Sequence, residues 1–165
     1  MRWDSIREVS LPEVPGALFL TSMPGRQRPL EGDVTRAARL KISLFVSLSP
    51  WEEVEEKSPR YAEAIAQGAL PWPVEFFPIE NGDVPRDLTA YRAFVGNLAR
   101  RLREGERVLL HCAGGLGRTG TVAISVLLEL GLPYEEAKSR VLAAGSSPET
   151  PAQWELVRRH AAGEL

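Results

Sequence analysis

The chain has 165 residues, a formal net charge of −2 and a single cysteine, a length that can bury a core without metal support and a cysteine count that excludes an internal disulfide. Charge this balanced leaves no excess of basic residues for a nucleic-acid backbone. The opening MRWDSIREVS has no basic-then-apolar signal pattern and no apolar run approaches membrane-spanning length, so a soluble protein of the reducing cytoplasm is expected, with neither membrane nor nucleic acid as partner. Two histidines and one cysteine form no ligand cluster, and neither metal nor cofactor is expected. Lys occurs only at 41, 57 and 138 among many Arg; a thermophilic source and a GC-rich genome both explain that bias.

In chain order, residues 6–14 are short and proline-bounded, an edge-strand pattern, and residues 17–22, ALFLTS, form a strand between turn residues. Met23-Pro24-Gly25-Arg26 breaks it. Arg26 and Arg28 read as solvated surface, contact with a substrate being the other reading. Asp33 begins a short helix, and residues 42–48, ISLFVSL, lack polar alternation, as suits a buried strand of a parallel sheet. Ser49-Pro50-Trp51-Glu52 presents an N-cap, a first-position proline and a capping-box acid. The acidic run from Glu52 to Glu56 fits a helix first turn and a solvated face better than a ligand cluster. Ser58-Pro59 repeats the start signal and Gly68 closes the segment.

Residues 74–79, VEFFPI, read as the next strand, followed by the loop Asn81-Gly82-Asp83-Val84-Pro85. From Asp87 to Glu104, Leu88, Tyr91, Phe94, Val95, Leu98 and Leu102 recur at helical spacing, and Gly105 ends that helix. Its basic end, Arg100, Arg101 and Arg103, answers the helix dipole. Residues 107–111 form a strand, residues 119–130 a helix apolar nearly all round, and helices follow over 133–144 and 151–160. Thr150 and Gln153 complete a capping box for the last. Alternating strands and helices predict an α/β fold, a central, mainly parallel twisted sheet of four to five strands with helices on both faces, in one domain spanning residues 1–165. Ligands in such sheets bind beyond the carboxyl ends of the strands, where Cys112 and the loops after Leu20, Leu48 and Ile79 converge.

The stretch VLLHCAGGLGRTG, residues 108–120, organises the rest. A strand ends at His111, Cys112 follows, and Arg118 and Thr119 open a helix. Gly114, Gly115 and Gly117 remove side chains between them, so the amides of Ala113 through Arg118, Leu116 included, can turn inward and form an anion-sized nest. A helix N-terminus favours an anion there, and the Arg118 guanidinium adds a planar clamp for two phosphate oxygens. The same field favours a Cys112 thiolate, the nucleophilic form of cysteine. A buried cysteine beside a glycine turn is the plainer alternative.

HCAGGLGRTG resembles the signature loop of the cysteine-dependent protein tyrosine and dual-specificity phosphatases: His-Cys, five residues, Arg, Ser or Thr, usually Gly. The resemblance implies that Cys112 forms a phosphocysteine, that Arg118 and the backbone of Ala113, Gly114, Gly115, Leu116 and Gly117 bind the phosphate, that Thr119 stabilises the leaving thiolate and that His111 supports the loop. Phosphorylated proteins or small phosphomonoesters are the implied substrates, with phosphate, vanadate and sulfate as active-site anions. It covers most of the chain, strongly at 111–120 and loosely at 17–25 and 74–85; the Pro24-Gly25 loop is similar to one that borders the active site in the kinase-associated group. In the family an Asp four residues before a Pro acts as general acid on the leaving oxygen and then as base on water. Here that position is Asn81, which moves the expectation to Asp83, with a β-turn role as its competing reading; Glu80 and Asp87 are also in reach, but Glu80 ends a strand and Asp87 is placed to cap the following helix. A glutamine near Gln153 can lie close to the family's site, although capping is the preferred role here, and VLAAGSSPET lacks the arginine pair that often precedes it. A non-catalytic phosphoprotein-binding module and a lipid or inositol phosphatase are the alternatives, the latter disfavoured because Ala113 through Leu116 add no cation. Arsenate reductases and rhodaneses fit less well, for want of further cysteines and because of the Arg-Thr-Gly ending.

Overall fold

The computed structural model describes residues 5–165. Its strands are β1 (Arg7–Val9), β2 (Ala17–Thr21), β3 (Leu44–Ser47), β4 (Val74–Phe76) and β5 (Arg107–His111), which pair in the order β1-β2-β5-β3-β4. The edge strand β1 runs antiparallel to β2, and the remaining pairings are parallel. In the register, Leu20 and Val46 flank Leu110, while Thr21 and Ser47 flank His111. Three strands therefore end level with one another, and the chain leaving β5 at Cys112 emerges between the loops that follow β2 and β3.

Alternation along the strands builds two cores, because successive side chains point to opposite faces. Leu18, Leu20, Leu44, Val46, Val108 and Leu110 face α4 (Leu88–Arg103), α5 (Gly117–Glu129), α6 (Tyr134–Ala143) and α7 (Pro151–Ala161). Phe19, Phe45 and Leu109 face α1 (Leu30–Arg39), α2 (Trp51–Lys57) and α3 (Pro59–Ala66). Apolar residues on both faces of β2, β3 and β5 are what made those runs continuous in the sequence.

Some boundaries differ from those expected. α1 begins at Leu30 rather than Asp33, since Pro29 already holds the extended N-cap backbone. Asp33 is instead buried, and it ties down the loop before the helix by accepting from Gly25 N (2.9 Å) and Arg28 Nε (2.9 Å). The expected Ser49–Glu52 capping box does not form: Pro50 is the N-cap of α2 and no side chain caps it. Glu53 becomes the third helical residue and turns inward. β4 stops at Phe76, short of Ile79, because Pro78 has no N–H to continue the ladder. Phe77 N and Ile79 N still reach Ser47 O and Leu48 O, at 2.9 and 2.8 Å.

Candidate active site

Cys112 follows the central strand directly, and its Sγ accepts from Gly115 N (3.3 Å) and Thr119 Oγ1 (3.1 Å). Both donors come from the next turn of chain, so the sulfur sits where the loop closes on α5. Only glycine suits position 115: its φ is +75°, and a Cβ there would stand 2.5 Å from Ser22 N. The loop carbonyls are held from neighbouring elements. Gly115 O accepts from Ser146 Oγ (2.6 Å) and Arg7 Nη2 (3.1 Å), and Ala113 O accepts from Met23 N (3.0 Å). The amides of the first turn of α5 have no acceptor earlier in the helix, which leaves them available to an anion.

Arg118 is 2% exposed. Its Nη1 donates to Glu53 Oε2 (2.9 Å) and Ile79 O (2.8 Å), and its Nη2 to Glu53 Oε1 (3.2 Å) and Asn81 Oδ1 (3.4 Å). The paired bonds to Glu53 make a planar fork that fixes the guanidinium. Burial by itself would raise the Glu53 carboxyl, but the hydrogen bonds from Arg118 and Lys57 and the Arg118 charge outweigh it and hold it at about 2. Glu53 thus departs from the expected solvated face of the acidic run, because the inward turn of α2 aims this one carboxylate at the buried guanidinium. Among the described residues no hydrogen bond engages Arg118 Nε.

His111 is fully buried between Cys112 O (3.1 Å from Nδ1) and Tyr61 Oη (2.8 Å from Nε2). A carbonyl only accepts, so Nδ1 carries the proton and Nε2 accepts from the Tyr61 hydroxyl. Burial, with the Arg118 charge adding to it, pushes the imidazole down to about 4, so it is neutral at pH 7. Burial raises the Tyr61 hydroxyl above its ordinary range and keeps it a donor.

Cys112, Ala113, Gly114, Leu116, Gly117 and Arg118 line a cleft of about 210 Å³, together with Arg26, Lys57, Asn81, Gly82, Glu149 and Gln153. Asn81 and Gly82 bring the loop after β4 to the rim. Asp83 of the same loop is exposed and turns away, its Oδ1 accepting from Val84 N (2.8 Å). Asp87 caps α4 by accepting from Ala90 N (2.9 Å), and Glu80 is exposed outside the lining. Arg26 reaches the rim and donates to Ala113 O (3.3 Å), whereas Arg28 is committed to Asp33. Gln153 takes both positions weighed for it. It completes the capping box with Thr150, and its Nε2 also donates to Asp83 O (3.3 Å) from the cleft wall.

Glu53, Arg7, Tyr61 and Glu149 carried no site expectation. Arg7 had a detectable signal, since strand alternation places it on the inward side with Val9, and an inward arginine needs several acceptors. The other three depend on distant chain segments meeting. Among the described residues no group of three or more His, Cys, Asp or Glu could hold a metal ion, and no helix is long and apolar enough to cross a membrane.

Residues 14–163 match the family model described as PTP-SAK, Swiss Army Knife protein, DSP-PTPase phosphatase domain. No curated protein sequence matches the chain. Among solved structures it is similar to kinase-associated phosphatase with its catalytic-site cysteine replaced by serine, at a TM-score of 0.83 and 20% identity over 99% of this chain and 97% of that one. It is similar to Tk-PTP in its active form, at 0.74 and 25% identity over 98% and 99% of the two chains. Human DUSP28 aligns at 0.68 and 21% identity, over 96% and 93%.

Proposed function

The chain belongs to the dual-specificity group of cysteine-dependent protein tyrosine phosphatases, matched over residues 14–163, and on that premise we propose that Cys112 is the nucleophile of its phosphatase reaction. One observation carries this reading: a sulfur that accepts two hydrogen bonds sits at the N-terminus of a helix, in a cleft whose wall holds a buried arginine. Sγ attacks phosphorus in line, a P–S bond forms and the ester P–O bond breaks. The loop amides and Arg118 stabilise charge on the equatorial oxygens. Thr119 donates to the sulfur when it leaves again, and His111 holds the Cys112 carbonyl so that the loop enters at a fixed angle.

Asp83 is the proposed acid for the leaving oxygen. To serve, its carboxylate exchanges the Val84 amide for the substrate, a side-chain rotation at an exposed position of the turn. Phosphorylated proteins or small phosphomonoesters are the substrates, and phosphate, vanadate or sulfate fill the same nest. Ala113, Gly114, Gly115 and Leu116 add no cation for a polyphosphorylated lipid headgroup. A catalytic thiol requires a reducing compartment, which supports a cytoplasmic location for a single domain spanning 1–165.

The experiment is turnover of phosphotyrosine and phosphothreonine peptides. Cys112→Ser should abolish it while vanadate still binds, and chelator should leave the native enzyme active. A Ser variant that turns over, or activity lost to chelator and restored by metal, would overturn the reading. Asp83→Asn should lower kcat by about 10²–10⁴-fold on an alkyl phosphate and far less on a nitrophenyl ester.

A further inference from the structure

Resting on that reading, we propose that Glu149 is the base that removes the proton from the water that hydrolyses the phosphocysteine. Among the described residues lining the cleft, Glu149 is the sole carboxylate. It stands on the loop before α7, with Oε1 2.6 Å from the point a Cβ on Gly117 would occupy and Cγ 3.2 Å from it. The carboxylate therefore lies directly over the first residue of α5, in space that any other side chain at 117 would take. Two hydrogen bonds fix the chain that carries it: Ser147 N donates to Leu116 O (3.3 Å) and Glu149 N to Gln153 Oε1 (2.8 Å).

Glu53 holds Arg118 and Lys57, Asp87 caps α4, and Asp83 lies outside the cleft lining, on the far side of Asn81 and Gly82 in the chain. Gln153 Oε1 already accepts from Glu149 N and Thr150 N. No hydrogen bond or ion pair from the described residues engages the Glu149 carboxylate, so this wall of the cleft offers one ready proton acceptor.

In-line hydrolysis requires water to approach phosphorus opposite Sγ, from the mouth of the cleft, and Glu149 is on that rim. The water oxygen bonds to phosphorus as the P–S bond breaks. The water proton passes to a Glu149 carboxylate oxygen, and the P–S electron pair returns to Sγ, where Gly115 N–H and Thr119 Oγ1–H receive it. Inorganic phosphate leaves. Asp83 then serves the first half-reaction and Glu149 the second, a division that separates two tasks the family gives to one carboxylate.

Acid-quenched time courses of the full chain with 4-nitrophenyl phosphate, read by intact mass, follow the phosphocysteine directly. In Glu149→Gln the adduct should form at the native rate and decay about 10²–10⁴-fold more slowly; because the side chain is exposed, the thermal midpoint should not move. In Asp83→Asn its decay should be unchanged. Native decay in Glu149→Gln, or slow decay in Asp83→Asn alone, would overturn the assignment while leaving the phosphatase reading intact. Hydrolysis with no adduct in any variant would sink both.

Discussion

At the residue scale, the motif made Cys112, Arg118 and Thr119 legible because their roles depend on neighbours within a few residues of chain. Glu53 was hidden for the opposite reason: it lies 65 positions from Arg118 and sits in an acidic run whose other members behave as a surface does. His111 carries a prediction about pH. Its folded value of about 4 lies below the ordinary 6.5, so between those values the unfolded chain binds a proton that the folded chain refuses. The resulting stabilisation is complete above pH 6.5 and is lost as pH falls to 4. Urea midpoints measured from pH 7.5 to 4 should decline less steeply in His111→Gln than in the native protein. Parallel declines would mean that His111 accepts its proton when folded. Glu53 acts in a lower window, its contribution lost as pH falls from 4.5 towards 2.

At the element scale, the central strands and α4 through α7 were legible from apolar periodicity, and their boundaries moved by a residue or two. The larger departures, at α1, α2 and β4, each involve a proline whose effect depends on which neighbour is hydrogen-bonded. Position 120 tests how α5 docks. A Cβ there would stand 2.5 Å from Ser147 N, a backbone contact that cannot rotate away. Gly120→Ala should destabilise the protein by about 1–3 kcal/mol, the usual cost of overpacking. It should also weaken phosphate binding, because the helix and the nest move together. An unchanged urea midpoint would show that the Ser147 loop yields freely.

At the scale of the whole molecule, the parallel arrangement of β2, β5, β3 and β4 gathers the loops after these strands at one edge, which is how Arg26 and Asn81 reach one cleft, and the loop between α6 and α7 brings Glu149 over it. Sequence reasoning located that edge, but not which side chains would face inward from it, since loop conformation follows from packing between distant segments. With one cysteine in the chain, oxidation has no internal partner to trap it. Peroxide should inactivate the enzyme through sulfenic, sulfenamide or higher oxides of Cys112, and non-reducing mass analysis should find no intramolecular disulfide. Full activity after peroxide, with the thiol still open to alkylation, would contradict an activated sulfur. The most direct test of the account is the site of the covalent intermediate, found by rapid acid quench during turnover followed by peptide mapping. One phosphoryl group on Cys112, absent from Cys112→Ser, is the predicted result; a phosphoryl group on any other residue, or steady hydrolysis by the Ser variant, would contradict it.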